Sequence, residues 1–296
     1  MHVIEDNLCL GSIKDTNEVD SLQKEGITYI LTLDIKPLAS SLTGHFCTKF
    51  VPLEDIETAD IFGKLPECLS FCDNAVKNGK LLVHCHAGVS RSVCIVTAYL
   101  MKKYSITLME AEERVRAVKG DIQMNAGFVH QLLLFETMKW KVDEDHPVYK
   151  KHKFKMLKHE IENEGHQQLS SSFIADNPMM SGNKSGSNSC VYKCKKCRKP
   201  VFEQRNIYSH EIDSSKAFHA KLSEINTVMK CSSYFLEPIK WMEKNITSNL
   251  NGRLDCPYCS FRIGRFNWAG TQCSCGRWVT PALQIHASNV DKTAIN

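Results

Sequence analysis

The sequence predicts an α/β domain, with a central, mainly parallel sheet flanked by helices, followed by a small, mainly β domain organised by cysteines. Three observations carry this prediction. Short apolar runs of strand length alternate with segments of helical apolar period through the first half of the chain. One such run, Leu81-Leu-Val83, leads through a loop holding Cys85, Gly88 and Arg91 directly into an apolar helical segment. Of 14 cysteines, eight fall after residue 189, among them two CxxC pairs and one CxC.

The elements follow in order. Leu8-Cys-Leu10 ending at Gly11 reads as a short strand, and Asp15/Thr16 begin a helix to about Lys24 with Gly26 as its stop. Ile27 to Leu33 is β-branched and aromatic enough for a central strand, and Phe46 to Leu53 reads as another. Asp60 is an N-cap for a helix carried by Ile61, Leu65, Leu69, Phe71, Cys72 and Val76 and closed by Gly79. Pro66 is tolerated because it falls in the first turns. Thr107-Leu-Met-Glu110 is a capping box for a helix to about Val118, and Asn125 caps a last helix through Phe135.

The loop after Val83 has the chemistry of an anion site. Backbone N–H groups of His86, Ala87, Gly88, Val89, Ser90 and Arg91 can converge on three phosphate oxygens, with a helix dipole behind them. The same field favours the thiolate over the thiol at Cys85, which makes it a standing nucleophile. Arg91 offers a planar fork for two phosphate oxygens and stays charged. The spacing alone is uninformative, because Cys256/Arg262 and Cys259/Arg265 repeat it. Only Cys85 follows an apolar strand, has Gly at the third loop position and has a hydroxyl, Ser92, directly after the arginine. These residues point to phosphoryl transfer through a cysteine.

The motif His84-Cys-His-Ala-Gly-Val-Ser-Arg-Ser92 resembles the signature of the cysteine-dependent protein phosphatases, in their dual-specificity branch. Asn7 to Ser12, Gly26 to Leu33 and Met124 to Leu132 extend the resemblance in the family's order. It implies the cysteine-phosphatase fold and hydrolysis of phosphotyrosine and phosphoserine/threonine through a phosphocysteine, with no metal needed for catalysis. It also implies an acid about 30 residues before the nucleophile, and Asp55 lies 30 positions before Cys85, three residues after Pro52. Asp55 is then general acid and later general base, with Asp60 the runner-up. His84 is expected to act by orientation and hydrogen bonding to the loop, and Ser92 to bond the cysteine sulfur as it leaves. Ser90 is expected to support the loop. Inositol-lipid phosphatases of the superfamily tend to carry lysines inside the loop, which disfavours lipid here; RNA triphosphatase-like relatives share the scaffold and stay open as an alternative.

After the domain expected at residues 1–145, residues 146–189 read as a linker. Lys150 to Lys158 could form an exposed helix, and Gln167 to Ser189 is rich in Ser, Asn and Gly. In the domain expected at 190–296, Cys194, Cys197, Cys231, Cys256, Cys259, Cys273 and Cys275 with His210 make eight ligands, enough for two closed structural zinc sites. His219 follows His210 too far on for a DNA-reading finger. Two pairings are open: Cys194/Cys197 with Cys256/Cys259 as in a zinc ribbon, or ligands taken in sequence order. Cys190 is spare. Tyr234, Phe235, Trp241, Trp268 and Trp278 are read as packing around metal. The segments 231–242, 264–268 and 273–286 are similar to the zinc-binding domain of the dual-specificity phosphatase 12 group, whose yeast relative is linked to ribosome assembly.

Charge divides the chain: 15 basic against 21 acidic residues over 1–145, six against four over 146–189, and 16 against eight over 190–296. Zinc-bound thiolates would leave the last segment at about +5. That excess suits a preribosomal partner beside phosphoprotein substrates. A pure assembly factor, with incidental phosphatase activity, is the rival reading. The absence of a signal-peptide pattern and of a membrane-spanning apolar run implies a cytoplasmic and nuclear protein that uses cysteines as thiolates, with no membrane partner.

Overall fold

The computed structural model describes residues 1–178, 190–209 and 231–294, which belong to two compact units, Met1–Tyr149 and Lys150–Asn296. In the first unit five strands, β1 (His2–Glu5), β2 (Leu8–Ser12), β3 (Ile27–Asp34), β4 (Cys47–Pro52) and β5 (Lys80–Cys85), stand in the spatial order β1-β2-β5-β3-β4. β1 is antiparallel to β2 and every other pairing is parallel. β5 comes last in sequence yet lies at the centre, with Cys85 opposite Ser12 on one side and Leu33 on the other. The carboxyl ends of β2, β5, β3 and β4 therefore open on one edge, the usual place for a ligand in such sheets.

Helices cover both faces, because successive side chains of a strand point to opposite sides. Leu8, Leu10, Leu31, Leu33, Leu81 and Val83 pack into a core closed by α3 (Leu65–Asn78), α4 (Arg91–Tyr104), α5 (Leu108–Val118) and α6 (Ala126–Thr137). Cys9, Ile30 and Leu82 belong to a smaller cluster with Leu22 of α1 (Val19–Lys24) and Leu42 of α2 (Ser40–Thr43). Thr107 and Glu110 form the expected capping box of α5, and Asn125 caps α6.

Two helix starts differ from expectation. Residues 13–16 form a separate 3₁₀ turn, and α1 begins only at Val19. Asp15 is the reason: its carboxylate accepts the amide and hydroxyl of Ser12 and pairs with the chain's ammonium group, so it closes its own turn. Likewise α3 begins at Leu65, with Pro66 in its first turn, while Asp60 Oδ1 accepts the Gly63 amide at 2.9 Å and caps the turn before it.

The segment expected as a linker carries helix α7 (Pro147–Glu164). Leu157 is fully buried, and Ile161, Leu169 and Ala175 pack against the second unit's core. Ala175 also exchanges backbone hydrogen bonds with Pro238 and Lys240. Leu157 and Ile161 are four residues apart and so share a helix face, a pattern obscured by the surrounding lysines.

The rest of the described second unit is mainly β, in three antiparallel sheets. β8 (Ile207–Tyr208), β9 (Ser233–Leu236), β10 (Asn251–Asp255), β11 (Arg262–Asn267) and β14 (Ala282–His286) form one in the order β10-β11-β14-β9-β8. β6 (Cys190–Cys194), β7 (Pro200–Glu203) and β15 (Val290–Ala294) form another, and β12 (Thr271–Gln272) with β13 (Trp278–Val279) a hairpin. Tyr192 stacks on Phe202 with ring centroids 4.4 Å apart, and Trp268, buried, donates Nε1–H to the Ile246 carbonyl of α8 (Glu243–Ser248). Trp278 departs from the expected packing role: it is 61% exposed on the short hairpin. Among the described residues no helix is long and apolar enough to cross a membrane.

Candidate active site and thiolate clusters

The centre of the first unit's open edge is Cys85, last residue of β5 and almost wholly buried. Its Sγ accepts the Gly88 amide at 3.2 Å and lies 3.2 Å from Ser92 Oγ. Gly88 has φ of +78°, and a Cβ there would come within 2.8 Å of the Gly11 carbonyl oxygen, so both backbone conformation and space require glycine. The outer edge of the loop is held by its carbonyls: Ile13 N–H donates to His86 O at 3.2 Å and Gln123 N–H to Val89 O at 2.8 Å. In a trans peptide the N–H points opposite the C=O, so the amides of Ala87 and Ser90 turn to the concave side. The loop then enters α4, whose first residue is Arg91.

Arg91 is fixed by groups from two neighbouring strands. Its Nη1 donates to Asp34 Oδ1 at the end of β3 (3.2 Å) and to the carbonyl of Leu53 just past β4 (3.0 Å). Asp34, itself buried, also accepts the Ile35 amide and stands 3.7 Å from His86 Nδ1. Asp34 is a site residue that the sequence reading missed. The local sequence, Ile30-Leu-Thr-Leu-Asp34, shows a carboxylate closing an apolar strand but not the arginine it meets.

Asp55 reaches the same arginine, with Oδ2 3.7 Å from Arg91 Nε. Its Oδ1 accepts the Ser90 hydroxyl at 2.7 Å and the Asn125 amide at 2.8 Å. Ser90 thus links the loop to Asp55, and Asn125 does more than cap its helix. Asp60, the other acid considered, is engaged at the Gly63 turn.

His84 is anchored differently from expectation. Its side chain points to the face of β5 opposite Cys85, and Nε2 lies 2.8 Å from Thr32 Oγ1 on β3, so the sheet holds the ring. Burial outweighs the opposing pull of the Cys85 backbone and of Asp34 and Asp15, bringing the ring down to about 4, so it is neutral at physiological pH. Ser92 Oγ also lies 3.4 Å from the Gly11 carbonyl, which aims the hydroxyl between that oxygen and the sulfur.

In the second unit two groups of thiols come together. Cys194, Cys197, Cys256 and Cys259 form one and Cys231, Cys273 and Cys275 the other, with all sulfurs of a group within 4.8 Å of one another. This is the ribbon pairing of the two CxxC turns rather than the sequential one. Across the first group, Cys194 and Cys259 are 3.8 Å apart and Cys197 and Cys256 3.6 Å. Four sulfurs at 2.3 Å around a tetrahedral ion would stand about 3.8 Å apart, so the group has the dimensions of a Zn²⁺ site. The Lys199 amide brings Cys197 down to about 7, toward the thiolate a metal needs. His210, proposed as the eighth ligand, lies outside the described residues.

The chain is similar in sequence to known proteins. Residues 8–138 match the family model "Dual specificity phosphatase, catalytic domain". The chain is 38% identical to dual specificity protein phosphatase 12 of Rattus norvegicus, over 96% of this chain and 86% of that protein. It is 32% identical to the tyrosine-protein phosphatase yvh1 of Schizosaccharomyces pombe, over 97% of this chain and 83% of the other. Among solved structures, the Yvh1 phosphatase domain from Chaetomium thermophilum is 28% identical, with a TM-score of 0.43 over 47% of this chain and 95% of that one.

Proposed function

We propose a mechanism and a division of labour for a chain that belongs to the dual-specificity protein phosphatase family, in the group of dual-specificity phosphatase 12. The chain is a protein phosphatase of that family. The observation that carries the mechanism is the convergence of Cys85 Sγ, the Gly88 amide, Ser92 and an Arg91 anchored through Nη1 at one strand end.

In the first step the Cys85 thiolate attacks the phosphorus of a phosphotyrosine or phosphoserine/threonine ester, forming the S–P bond as the P–O bond breaks. Arg91 and the amides of residues 86–91 take up the charge on the equatorial oxygens. Protonated Asp55 gives its proton to the leaving oxygen. In the second step water attacks phosphorus, Asp55 takes the water proton, and the P–S bond breaks. Ser92 O–H then donates to the departing sulfur, and inorganic phosphate leaves.

Hydrolysis of a small aryl phosphate under reducing conditions tests this, with wild type beside Cys85→Ser, Asp55→Asn and Asp60→Asn. Abolished turnover in the first variant, and a far larger loss at Asp55 than at Asp60, are expected. Equal turnover of wild type and Cys85→Ser would overturn the mechanism.

For the second unit we propose two structural zinc ions, one held by Cys194, Cys197, Cys256 and Cys259 and one by Cys231, Cys273, Cys275 and His210. The tetrahedral sulfur spacing of the first group supports this. Four protein ligands leave no open position for water, so each ion would serve folding rather than the reaction. The basic excess after residue 189 supports a preribosomal particle as partner, and a cytoplasmic and nuclear location follows from that role. Co-sedimentation of the full chain with preribosomal particles tests it: loss of the particles from the bound fraction on charge reversal in the second unit is expected, and unchanged sedimentation would refute it.

A further inference from the structure

Helix α6 touches the loop between β4 and α3 at three places, and the contacts bear on how the proton is transferred. We infer that Asn125 is a positioning residue for Asp55, and that it selects Oδ2 as the oxygen that carries the proton. This rests on the acid/base role proposed above.

Asn125 divides its side-chain amide between two tasks. Oδ1 accepts the Phe128 amide at 2.9 Å and caps α6, while Nδ2 donates to Asp55 Oδ1 at 2.8 Å. Ser90 Oγ donates to that same oxygen at 2.7 Å and in turn accepts the Asn125 backbone N–H at 3.3 Å. One oxygen of Asp55 therefore receives two hydrogen bonds, and the other faces the Arg91 guanidinium. A carboxyl oxygen already accepting two donors is the poorer place for a proton, because the proton would compete for the same lone pairs. Oδ2 is then the atom that gives a proton to the leaving oxygen and takes one from water, beside the arginine that holds the phosphoryl group.

The remaining contacts fix the loop that carries this carboxylate. Gln131, almost fully buried, accepts the Phe62 amide through Oε1 and donates from Nε2 to the Ala59 carbonyl, both at 2.9 Å. Gly127 lies so close to the loop that a Cβ would stand 1.9 Å from Glu57 O. Any side chain at 127 must displace the loop. α6 thus holds Asp55 by a direct hydrogen bond and holds its loop by packing without a side chain between, so the acid is in place before substrate arrives.

The test uses the full chain with two aryl phosphates, one whose leaving phenol is strongly acidic and needs no proton, and phenyl phosphate, which does. Asn125→Ser keeps a good helix cap, since serine is nearly as effective there, but is too short to cap and reach Asp55 together. Gly127→Ala moves the loop by a separate route. Each is expected to lower kcat/KM on phenyl phosphate about tenfold and on the activated ester less than about twofold, a smaller version of the Asp55→Asn pattern. In an Asp55→Asn background, Asn125→Ser should cost less than about twofold more. Equal slowing of both esters by Asn125→Ser, or losses that multiply with Asp55→Asn, would overturn the positioning role and leave a helix cap only. If Asp55→Asn itself slowed both esters alike, the acid/base assignment would fall and the positioning role with it.

Discussion

Replacing Cys256 by alanine should remove one metal ion from the chain and unfold much of the second unit. Cys256 and Cys259 sit on the turn between β10 and β11, while Cys194 and Cys197 sit on the turn between β6 and β7, and these turns belong to different sheets. A metal at their centre is a cross-link between sheets. Burial without metal pushes the Cys256 thiol up to about 12, so four crowded thiols are a poor substitute for a coordinated ion. Structural zinc contributes roughly 10–16 kcal/mol in small domains, against a net stability of roughly 5–15 kcal/mol for a whole domain. The loss is therefore of the size of the unit's entire stability. Metal analysis of purified protein should fall from two ions per chain to one, and the emission of Trp241 and Trp268 should show early melting. Cys190→Ala, outside both thiol groups, should leave both readings unchanged. Cys256→Ala protein that keeps two ions and its melting temperature would refute the reasoning.

Gly88→Ala should lower kcat/KM about 100-fold, since it forces an alanine to φ of +78° against the Gly11 carbonyl and disturbs the amide donated to Cys85; loss of activity on refolded, monomeric protein checks this. Arg91→Lys keeps the charge but loses the fork that binds Asp34 and Leu53 while facing phosphate, so a loss of at least about 100-fold is expected in steady-state hydrolysis. His84 makes stability fall with acid. Its folded-state value of about 4 lies below the usual 6.5, so the unfolded chain takes the proton first, and stability is full above pH 6.5 and lost as pH falls toward 4. Near pH 5 the loss from this group is about 2 kcal/mol, and urea melts of wild type and His84→Gln should differ in pH slope by that amount. Parallel slopes would contradict it.

Much of this was legible in the chain itself, for identifiable reasons. The short apolar run Leu81-Leu-Val83 placed β5, and turn chemistry at Thr107/Glu110 and Asn125 placed two helix starts to the residue. Cys85, Arg91 and Ser92 were readable because local backbone alone brings them together. Asp34 was not, because its contact with Arg91 spans 57 positions and depends on β3 lying beside β5, a crossover that local pattern does not encode. The second role of Asn125 was hidden by its adequacy as a cap. The lysines of α7 masked the buried Leu157 and the Ile161 that packs on the second unit's core, and Asp15 misled as a helix start because its partner is Ser12.

Trapping the phosphoryl group on Cys85 tests the proposed mechanism most directly. In Ser92→Ala the hydroxyl 3.2 Å from the sulfur is gone, so the thiolate leaves more slowly and the second step should lag the first. A rapid-quench reaction of this variant with an activated aryl phosphate should release a burst of phenol equal to the enzyme concentration, with phosphate on the peptide containing Cys85 by mass spectrometry. Phosphate on any other residue, or phenol release that continues in Ser92→Ala carrying Cys85→Ser, would contradict it.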